Sequence, residues 1–429
     1  MIRWRSPLRG PWLTSVLAVV LLIGLPIVSI TGLLSYAAYQ PQFRGNAFPT
    51  DPGLLRLPHF AWPTDPAWLY RLNQGLHVGL GLILIPVVLA KLWSVIPKLF
   101  VWPPARTPAE LLERGSLALL VGGILFELAT GVLNIQYDYV FGFDFYTGHY
   151  YGAFVFLAGF AVHVPLKIAI VRRSLRSRRL RDELRVSTPD TVAEPPDEHG
   201  LVPADPDPAT ISRRGALAVV GGSSALIGLV TVGQSLGDRL RPTAVLSVRG
   251  QSYGAAPGDF QVNRTAGAAG ITEEMAGGGW RLALRGGNVD RSQATAMTSV
   301  PELSLSLSRQ DLLAMPQHTA LLPIACVEGW STVQQWSGVR LRDLAALVRI
   351  PEPTSLLVES LEARGAFARA VLNAGQAVDE DSLLALRVNG ADLSLDHGFP
   401  ARVIVPALPG VHNTKWVRAL HFRSTTGES

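Results

Sequence analysis

The sequence predicts a multi-domain protein, in which an all-α transmembrane four-helix bundle and a single anchoring helix are followed by an α+β domain. Three observations lead to this fold class. Hydrophobic residues make up 48% of the 429 residues and charged residues only 17%, a balance typical of membrane proteins. The long apolar runs all end before Gly237. Beyond them, short segments follow the two-residue alternation of β-strands.

The first predicted domain comprises residues 1–173. Arginines precede its first apolar run and cluster after the fourth, at 172–181, so the positive-inside rule places both ends in the cytoplasm. The loops at 36–72 and 135–149 are then extracytoplasmic, and we expect a multi-pass protein of a bacterial plasma membrane. A helix that crosses a bilayer needs about 20 residues. Four apolar runs reach this length, near 13–35, 73–96, 115–134 and 150–171.

Residues 174–212 are polar, with a basic start followed by Pro, Asp and Glu, which predicts a disordered cytoplasmic linker. The next segment, 213–238, begins with Arg213-Arg214 and continues as a weakly hydrophobic run rich in Gly and Ala. A paired arginine before such a run is typical of a twin-arginine export signal, here internal. The alternative is an ordinary basic flank of a fifth membrane helix.

Residues 239–429 form the predicted α+β domain. Alternating hydrophobicity predicts strands, and amphipathic periodicity predicts short helices between them. The strands are expected at 280–285, 302–307 and 401–405, and the helices at 308–315 and 341–347.

Three histidines, His77, His149 and His163, lie in or at the edge of the predicted spans. Polar side chains are costly in a bilayer, so a functional role is the default there. His77 and His149 both begin a span on the outer side, which predicts that they bind one b-type haem axially. His163 is a further candidate haem ligand, roughly 21 Å deeper along the fourth helix. Glu127 is a candidate proton acceptor for quinol oxidation. The alternative for the three histidines is a role in packing only, and the alternative for Glu127 is a carboxylate that pairs with a neighbouring helix.

Cys326 is the only cysteine of the chain. It therefore has no internal disulfide partner and cannot build a multi-thiolate zinc site. A single thiolate suits a soft metal that is held mainly by a cofactor. The alternative is a small, buried, hydrophobic side chain.

The residues that follow Cys326 carry a specific resemblance. Cys326-Val-Glu-Gly-Trp-Ser331, with Trp336-Ser-Gly-Val-Arg-Leu-Arg-Asp-Leu344, resembles the signature of the sulfite-oxidase superfamily of molybdopterin-dependent oxidoreductases. It is similar in particular to the branch that includes bacterial methionine-sulfoxide reductase catalytic subunits. Asp259–Thr265, Asp396–Arg402 and Pro409–Val417 resemble further stretches of that family in the same order. The resemblance implies a sulfite-oxidase-type α+β molybdopterin domain.

In that superfamily the matching cysteine gives molybdenum its one protein thiolate, beside two pterin sulfurs. The resemblance therefore implies that Cys326 is the catalytic residue and the molybdenum ligand. Because this cofactor is inserted in the cytoplasm, the domain should cross the membrane folded, in agreement with a twin-arginine signal. Cofactor-binding roles are implied for Asn263, His397, Arg402, His412 and Lys415, although each alone is equally typical of a salt-bridged surface residue.

The four-helix region resembles the cytochrome b subunits of formate dehydrogenases and hydrogenases, in helix count and in two histidines 14 positions apart on the fourth helix. In those proteins a histidine on the first helix completes a second, inner haem. The first span here carries no histidine. The resemblance therefore implies one haem b, held by His77 and His149.

These features together predict a membrane-anchored molybdenum-cofactor oxidoreductase. It would transfer an oxygen atom to or from a small extracytoplasmic substrate with two electrons, and exchange electrons with the quinone pool through the haem. One alternative is the same enzyme with a haem-free anchor and a separate electron carrier; another is a non-catalytic binding protein on the same fold. No nucleic-acid partner is expected, because the arginine cluster lacks interleaved aromatic residues.

Overall fold

The computed structural model describes most of the chain as two compact units. The first unit comprises Met1–Ile30 with Leu76–Val230, and the second comprises Thr31–Gly75 with Thr231–Ser429. Residues 135–144 of one predicted outer loop lie outside the described residues. The described residues are 4–43, 46, 59–100, 107–134, 145–196, 200–246, 254–288, 303–365 and 367–424.

Five long apolar helices occupy the N-terminal part of the chain, one for each predicted apolar run. Each is long and apolar enough to cross a membrane, so this region is compatible with membrane anchoring. The four-helix bundle, the single anchor and the direction of each helix stay predictions. The helices are α1 (Pro11–Ala38), α2 (Leu69–Leu99), α3 (Pro108–Asn134), α4 (Phe145–Ser177) and α6 (Arg213–Leu236), with a single turn, α5 (Leu180–Glu183), before the last.

Small and hydroxylated side chains join the helices of the first unit. A Cβ atom at Gly159 of α4 would lie 2.7 Å from the backbone nitrogen of Leu120 in α3, so only glycine permits this close approach. Between α1 and α2, the buried Thr14 hydroxyl donates to Ser94 Oγ at 3.0 Å. Such contacts hold apolar helices together where burial from lipid gives no driving force.

The segment 174–212 was predicted to be a disordered linker, and the structure contradicts this for most of its length. Glu194 is buried and its carboxylate accepts a hydrogen bond from the backbone nitrogen of Trp12 at 3.1 Å. Glu183 is also buried and pairs with Arg213 at 3.2 Å. Acidic residues favoured a solvated segment in the sequence analysis. In the structure, Glu183 and Glu194 instead pair with a buried arginine and a buried backbone N–H group, so these parts of the segment are ordered.

The second unit contains two β-sheets among its described residues. The strand order of the first sheet is β2-β1-β10-β5-β6, and β1 and β10 are parallel. The strand order of the second sheet is β3-β4-β7-β8, and β9 also pairs with β7. The strands are β1 (Arg281–Asn288), β2 (Leu303–Ser308), β3 (His318–Ala325), β4 (Ser331–Arg340), β5 (Ser355–Ser360), β6 (Arg369–Asn373), β7 (Leu383–Val388), β8 (Ala391–Asp392), β9 (Arg402–Ile404) and β10 (Val417–Ser424).

Short helices connect these strands, and the predicted elements of this domain are confirmed. The strands expected at 280–285, 302–307 and 401–405 correspond to β1, β2 and β9. A capping box between Ser308 and Asp311 starts α9, where the sequence predicted a helix. The helices are α7 (Ala266–Ala269), α8 (Glu273–Ala276), α9 (Arg309–Ala314), α10 (Leu341–Leu347) and α11 (Ala374–Val378).

The second unit is larger than the predicted domain of residues 239–429, because residues 31–75 and 231–238 belong to it. The Asn46 amide both donates to the carbonyl of Val371 at 2.6 Å and accepts from its backbone nitrogen at 2.7 Å. The Trp62 indole donates to the carbonyl of Ala407 at 2.8 Å. The loop after α1 therefore completes the second unit with strand-like pairing that no local pattern predicts.

Candidate active site

Cys326 lies in the turn between β3 and β4, and we call residues Cys326–Trp330 the Cys326 turn. Its backbone nitrogen donates to the carbonyl of Trp330 at 2.9 Å, and Gly329 donates back to the carbonyl of Cys326 at 3.0 Å. Gly329 has φ +89°, a conformation that L side chains rarely adopt. These constraints fix the backbone that carries the thiol.

A second turn lies directly beside the Cys326 turn. Pro409 forms a parallel bridge with Ala325, the residue before the cysteine, and Gly410 donates to the carbonyl of Ala325 at 2.8 Å. His412 closes this turn by donating from its backbone to Pro409 at 2.9 Å. The sequence motifs around Cys326 and Pro409 are thus neighbours in space.

Arg402, Lys415 and His397 form a buried cationic cluster next to the second turn. Lys415 is only 3% exposed and donates to the carbonyls of Arg264 and Asp396, at 2.7 and 2.8 Å. Arg402 is 2% exposed and donates to the carbonyls of His397 and Asn413. Burial lowers the pKa of Arg402 to about 9. Two cations that are buried from solvent favour an anionic ligand.

The two buried histidines of the site are held neutral. The ring of His397 stacks on Phe260 with centroids 3.7 Å apart, and its Nε2 lies 2.8 Å from the carbonyl of Gly258. Burial, with the charge of Arg402 in addition, lowers the pKa of His397 to about 4. Burial also lowers the pKa of His412 to about 4. Neutral rings can donate or accept hydrogen bonds without adding charge.

Several buried polar atoms around the cluster have no hydrogen-bond partner within the described part of the chain. They are Nδ1 of His397, Nδ1 of His412 and Nδ2 of Asn413. Buried polar groups are almost always paired. Arg402, Lys415 and the Asn413 amide therefore have spare capacity to bind a negatively charged group. The Nδ1 atom of His397 is an acceptor, because Nε2 donates to the Gly258 carbonyl.

The structure brings the predicted site residues of this domain together. Cys326, His397, Arg402, His412 and Lys415 lie in the two turns and the cluster. The sixth, Asn263, accepts a hydrogen bond from the Arg264 backbone at 3.0 Å, beside the carbonyl that Lys415 binds. Sequence reasoning missed the stacking of Phe260 on His397 and the amide of Asn413, although both lie within the motifs that it identified.

The membrane histidines lie in the first unit, and two of them are paired. The ring centroids of His77 and His149 are 6.0 Å apart and the ring planes are nearly perpendicular, at 84°. His77 Nδ1 lies 2.9 Å from the carbonyl of Val28. His149 Nδ1 lies 3.2 Å from the Glu127 carboxylate and 3.1 Å from Thr130 Oγ1. Metal-bound histidines typically direct their second nitrogen to such acceptors.

His163 is not part of this pair. It lines a cavity of about 180 Å³ between α1, α2, α3 and α4, where apolar side chains dominate. Its Nδ1 is buried and has no partner among the described residues. The charged residues at this cavity are Lys91, Lys98, Glu113 and Lys167.

Comparisons with known proteins agree with this geometry. Residues 295–429 match the oxidoreductase molybdopterin binding domain family. This part of the chain is similar to sulfite-oxidase-type molybdopterin-binding oxidoreductase domains. The chain is 34% identical over 117 residues to the uncharacterized oxidoreductase YuiH of Bacillus subtilis, covering 27% of this chain and 58% of that protein.

Two further proteins are similar to part of this chain. Rat mitochondrial sulfite oxidase is 33% identical over 147 residues, covering 28% of this chain and 27% of that enzyme. The sulfane dehydrogenase SoxCD of Paracoccus pantotrophus is 26% identical over 35% of this chain and 40% of that one, with a TM-score of 0.28. The chain thus spans between about a quarter and three-fifths of the length of these proteins. The family match begins at residue 295 and leaves the N-terminal helices uncovered.

The residues of the site fit a molybdopterin cofactor. Such a cofactor needs one thiolate for the metal and donors for a phosphate. Cys326 is held in a fixed turn, and the cationic cluster lies beside it with the unpaired amide donor of Asn413.

Replacing Lys415 with Gln should weaken cofactor retention, because the cluster loses one of its two buried cations. A charge-assisted hydrogen bond contributes enough to expect roughly 10- to 100-fold weaker binding. The molybdenum and pterin content per polypeptide after gel filtration measures this. Arg418→Gln is the control, since Arg418 is exposed and pairs with Glu359. Equal cofactor content in Lys415→Gln and the wild type would contradict a phosphate-binding role.

Acid should destabilise the second unit through its neutral histidines. The pKa values of His397 and His412 lie near 4 in the folded protein, against 6.5 for an ordinary histidine. The unfolded chain therefore binds protons at higher pH, and the free energy of unfolding falls as the pH drops from 6.5 towards 4. Each histidine contributes up to roughly 3 kcal/mol to this loss.

Urea unfolding of the cofactor-free, full-length protein at pH 4 to 7 measures this effect. We expect His412→Gln to lose less stability than the wild type across this range, and His59→Gln, which removes an exposed histidine, to behave as the wild type. Identical pH profiles for His412→Gln and the wild type would show that the His412 ring does not titrate as a buried neutral group.

Proposed function

We propose that the protein is a membrane-anchored molybdenum-cofactor oxidoreductase that performs two-electron oxygen-atom transfer on a small extracytoplasmic substrate. The observation that carries this proposal is the fixed Cys326 turn beside the buried cationic cluster, in a domain that matches a molybdopterin-binding family. When bound, the cofactor supplies the two-electron chemistry, while the protein binds and orients it. The substrate classes to be screened are sulfoxides, N-oxides and sulfite.

Each residue of the site has a distinct task in this proposal. Cys326 gives its thiolate to molybdenum. Arg402, Lys415 and the Asn413 amide would bind the phosphate of the pterin, and the Nδ1 atom of His397, an acceptor because Nε2 donates to the Gly258 carbonyl, would accept a hydrogen bond from an N–H group of the pterin. The Asn263 side chain, next to the carbonyl that orients Lys415, would line the entrance of the pterin site.

A haem b held by His77 and His149 would connect this chemistry to the membrane. An imidazole nitrogen binds a metal at about 2 Å, so the ring centroids of two axial histidines lie about 6 Å apart. The observed 6.0 Å spacing supports this assignment. Glu127 and Thr130 orient the ring of His149, and the carboxylate at the His163 cavity is that of Glu113.

The cavity at His163 supports electron exchange with the quinone pool. Its lining is mostly apolar, as an isoprenoid quinone requires, and His163 and Lys91 offer polar contacts for the quinone ring. In this proposal His163 belongs to the quinone site and is not a haem ligand.

The location of the second unit on the outer face follows from the proposed topology. A twin-arginine signal at Arg213-Arg214 would export the domain folded, with its cofactor inserted. In the folded protein Arg213 is buried and pairs with Glu183, so the motif is free for recognition only before the first unit packs.

Metal and haem content of the detergent-purified protein tests the enzyme proposal. We expect molybdenum and one b-type haem in the wild type. His149→Ala should lose the reduced-minus-oxidised b-type spectrum and keep molybdenum, because the two sites are separate. Cys326→Ser should keep the haem and lose turnover, because the metal loses its only protein thiolate.

His163→Ala is the matched control for the haem assignment, and it should retain the spectrum. Wild-type protein without molybdenum, after expression with the cofactor supplied, would refute the enzyme. Molybdenum without any b-type spectrum would instead select the enzyme with a haem-free anchor and a separate electron carrier.

Conservative replacement of the arginine pair tests export. The double variant Arg213→Lys/Arg214→Lys should leave the second unit inside the cell, where external protease cannot reach it. Glu183→Gln is the control, because it removes the ion pair with Arg213 and keeps both arginines. Normal external protease sensitivity in the double-lysine variant would contradict a twin-arginine route.

A further inference from the structure

The Cys326 turn is held from outside its own sheet. Three consecutive carbonyl groups of the turn accept hydrogen bonds from side chains at the ends of two long apolar helices, α2 and α6, within the second unit. We call these side chains the helix-end donors. The bonds run from Gln74 Nε2 to Val327 at 2.7 Å, from Gln234 Nε2 to Glu328 at 2.6 Å, and from Ser235 Oγ to Gly329 at 2.7 Å.

The helix-end donors are themselves fixed. Gln74 is 2% exposed, and its amide oxygen accepts from the Ser35 hydroxyl at the end of α1, at 2.7 Å. Gln234 is 7% exposed. The carbonyl of Ser235 accepts from the Ser331 hydroxyl and from Arg71 Nε, at 3.1 Å for the latter. Burial and these hydrogen bonds hold the helix-end donors in place, so water does not readily replace them as partners of the turn.

This arrangement controls the orientation of the peptide groups next to the cysteine. A peptide plane can rotate only if its carbonyl gives up its hydrogen bond, and here three successive planes are bonded. The remaining degrees of freedom are removed by the internal bonds of Cys326 and Gly329. These internal bonds hold the two peptide planes that flank Cys326, and the three bonded planes that follow close the turn around them.

We propose that Gln74, Gln234 and Ser235 are positioning residues that hold the Cys326 turn in the conformation that presents its thiolate to molybdenum. Metal sites need their ligands held to within a fraction of an ångström, and groups outside the ligand set commonly do this. The proposal rests on the function proposed above for its molybdenum part. It implies that the ends of the apolar helices belong to the active site and do more than anchor it.

Hydrogen exchange of the turn in the cofactor-free, full-length protein tests the proposal without the metal. The amides of Cys326 and Gly329 exchange only when the turn opens. Loss of one bond should raise their exchange rate about five-fold, and loss of two bonds about 25-fold. We therefore expect faster exchange in Gln74→Leu, in Gln234→Leu and most of all in the double variant.

Gln376→Leu is the matched control. Gln376 is a buried glutamine of the same unit, and its amide also donates to a backbone carbonyl, that of Trp62 at 3.2 Å. If its loss accelerates exchange in the Cys326 turn as much as Gln74→Leu does, the effect is a general loosening of the unit and the proposal is wrong. Unchanged exchange in all glutamine variants would also overturn it.

The Mo(V) electron paramagnetic resonance spectrum of the loaded protein gives a second readout. Gln74→Leu should alter the signal while molybdenum content stays at the wild-type level, and Gln376→Leu should leave the signal unchanged. An unaltered signal in the double variant would refute a role towards the metal. Wild-type protein that never binds molybdenum would refute the proposed function, and the exchange experiment would still decide whether the helix-end donors hold the turn.

Discussion

The burial of two positive charges, on Arg402 and Lys415, is the constraint on which the second unit depends. A cation taken out of water is costly unless it is solvated by the protein. Here backbone carbonyls from three different loops converge on the pair. The loops that carry the family motifs are therefore arranged as a solvation shell. Carbonyl dipoles offset only part of the cost, and the pair therefore favours an anionic ligand.

The sequence located the elements but not their association. Runs of apolar residues predicted all five long helices, and alternation predicted strands β1, β2 and β9, because these signals are local. The choice of Cys326 as the candidate metal ligand followed from a motif. The placement of residues 31–75 in the second unit could not be predicted, since it depends on contacts such as that between Asn46 and Val371, more than 300 positions apart.

Charge patterning misled the prediction for residues 174–212. An acidic, proline-rich composition normally remains solvated. In this chain Glu183 meets Arg213, and Glu194 meets the first turn of α1. These contacts between residues far apart in the sequence order a segment whose composition predicts disorder. The histidines show the opposite case: the sequence predicted that His77 and His149 form a pair, and their ring centroids lie 6.0 Å apart.

The discontinuity of the second unit has a consequence for assembly. Residues 31–75 are synthesised early, and their partners in the unit are synthesised last. Under the proposed folded export, the C-terminal residues would receive their cofactor in the cytoplasm. Residues 31–75 would by then lie on the outer side of the membrane. At that stage the ring of Tyr39, which packs edge-on against His412 at 5.3 Å, is absent from the pocket. On this proposal, crossing the membrane would separate an open loading stage from a closed working stage of the same site.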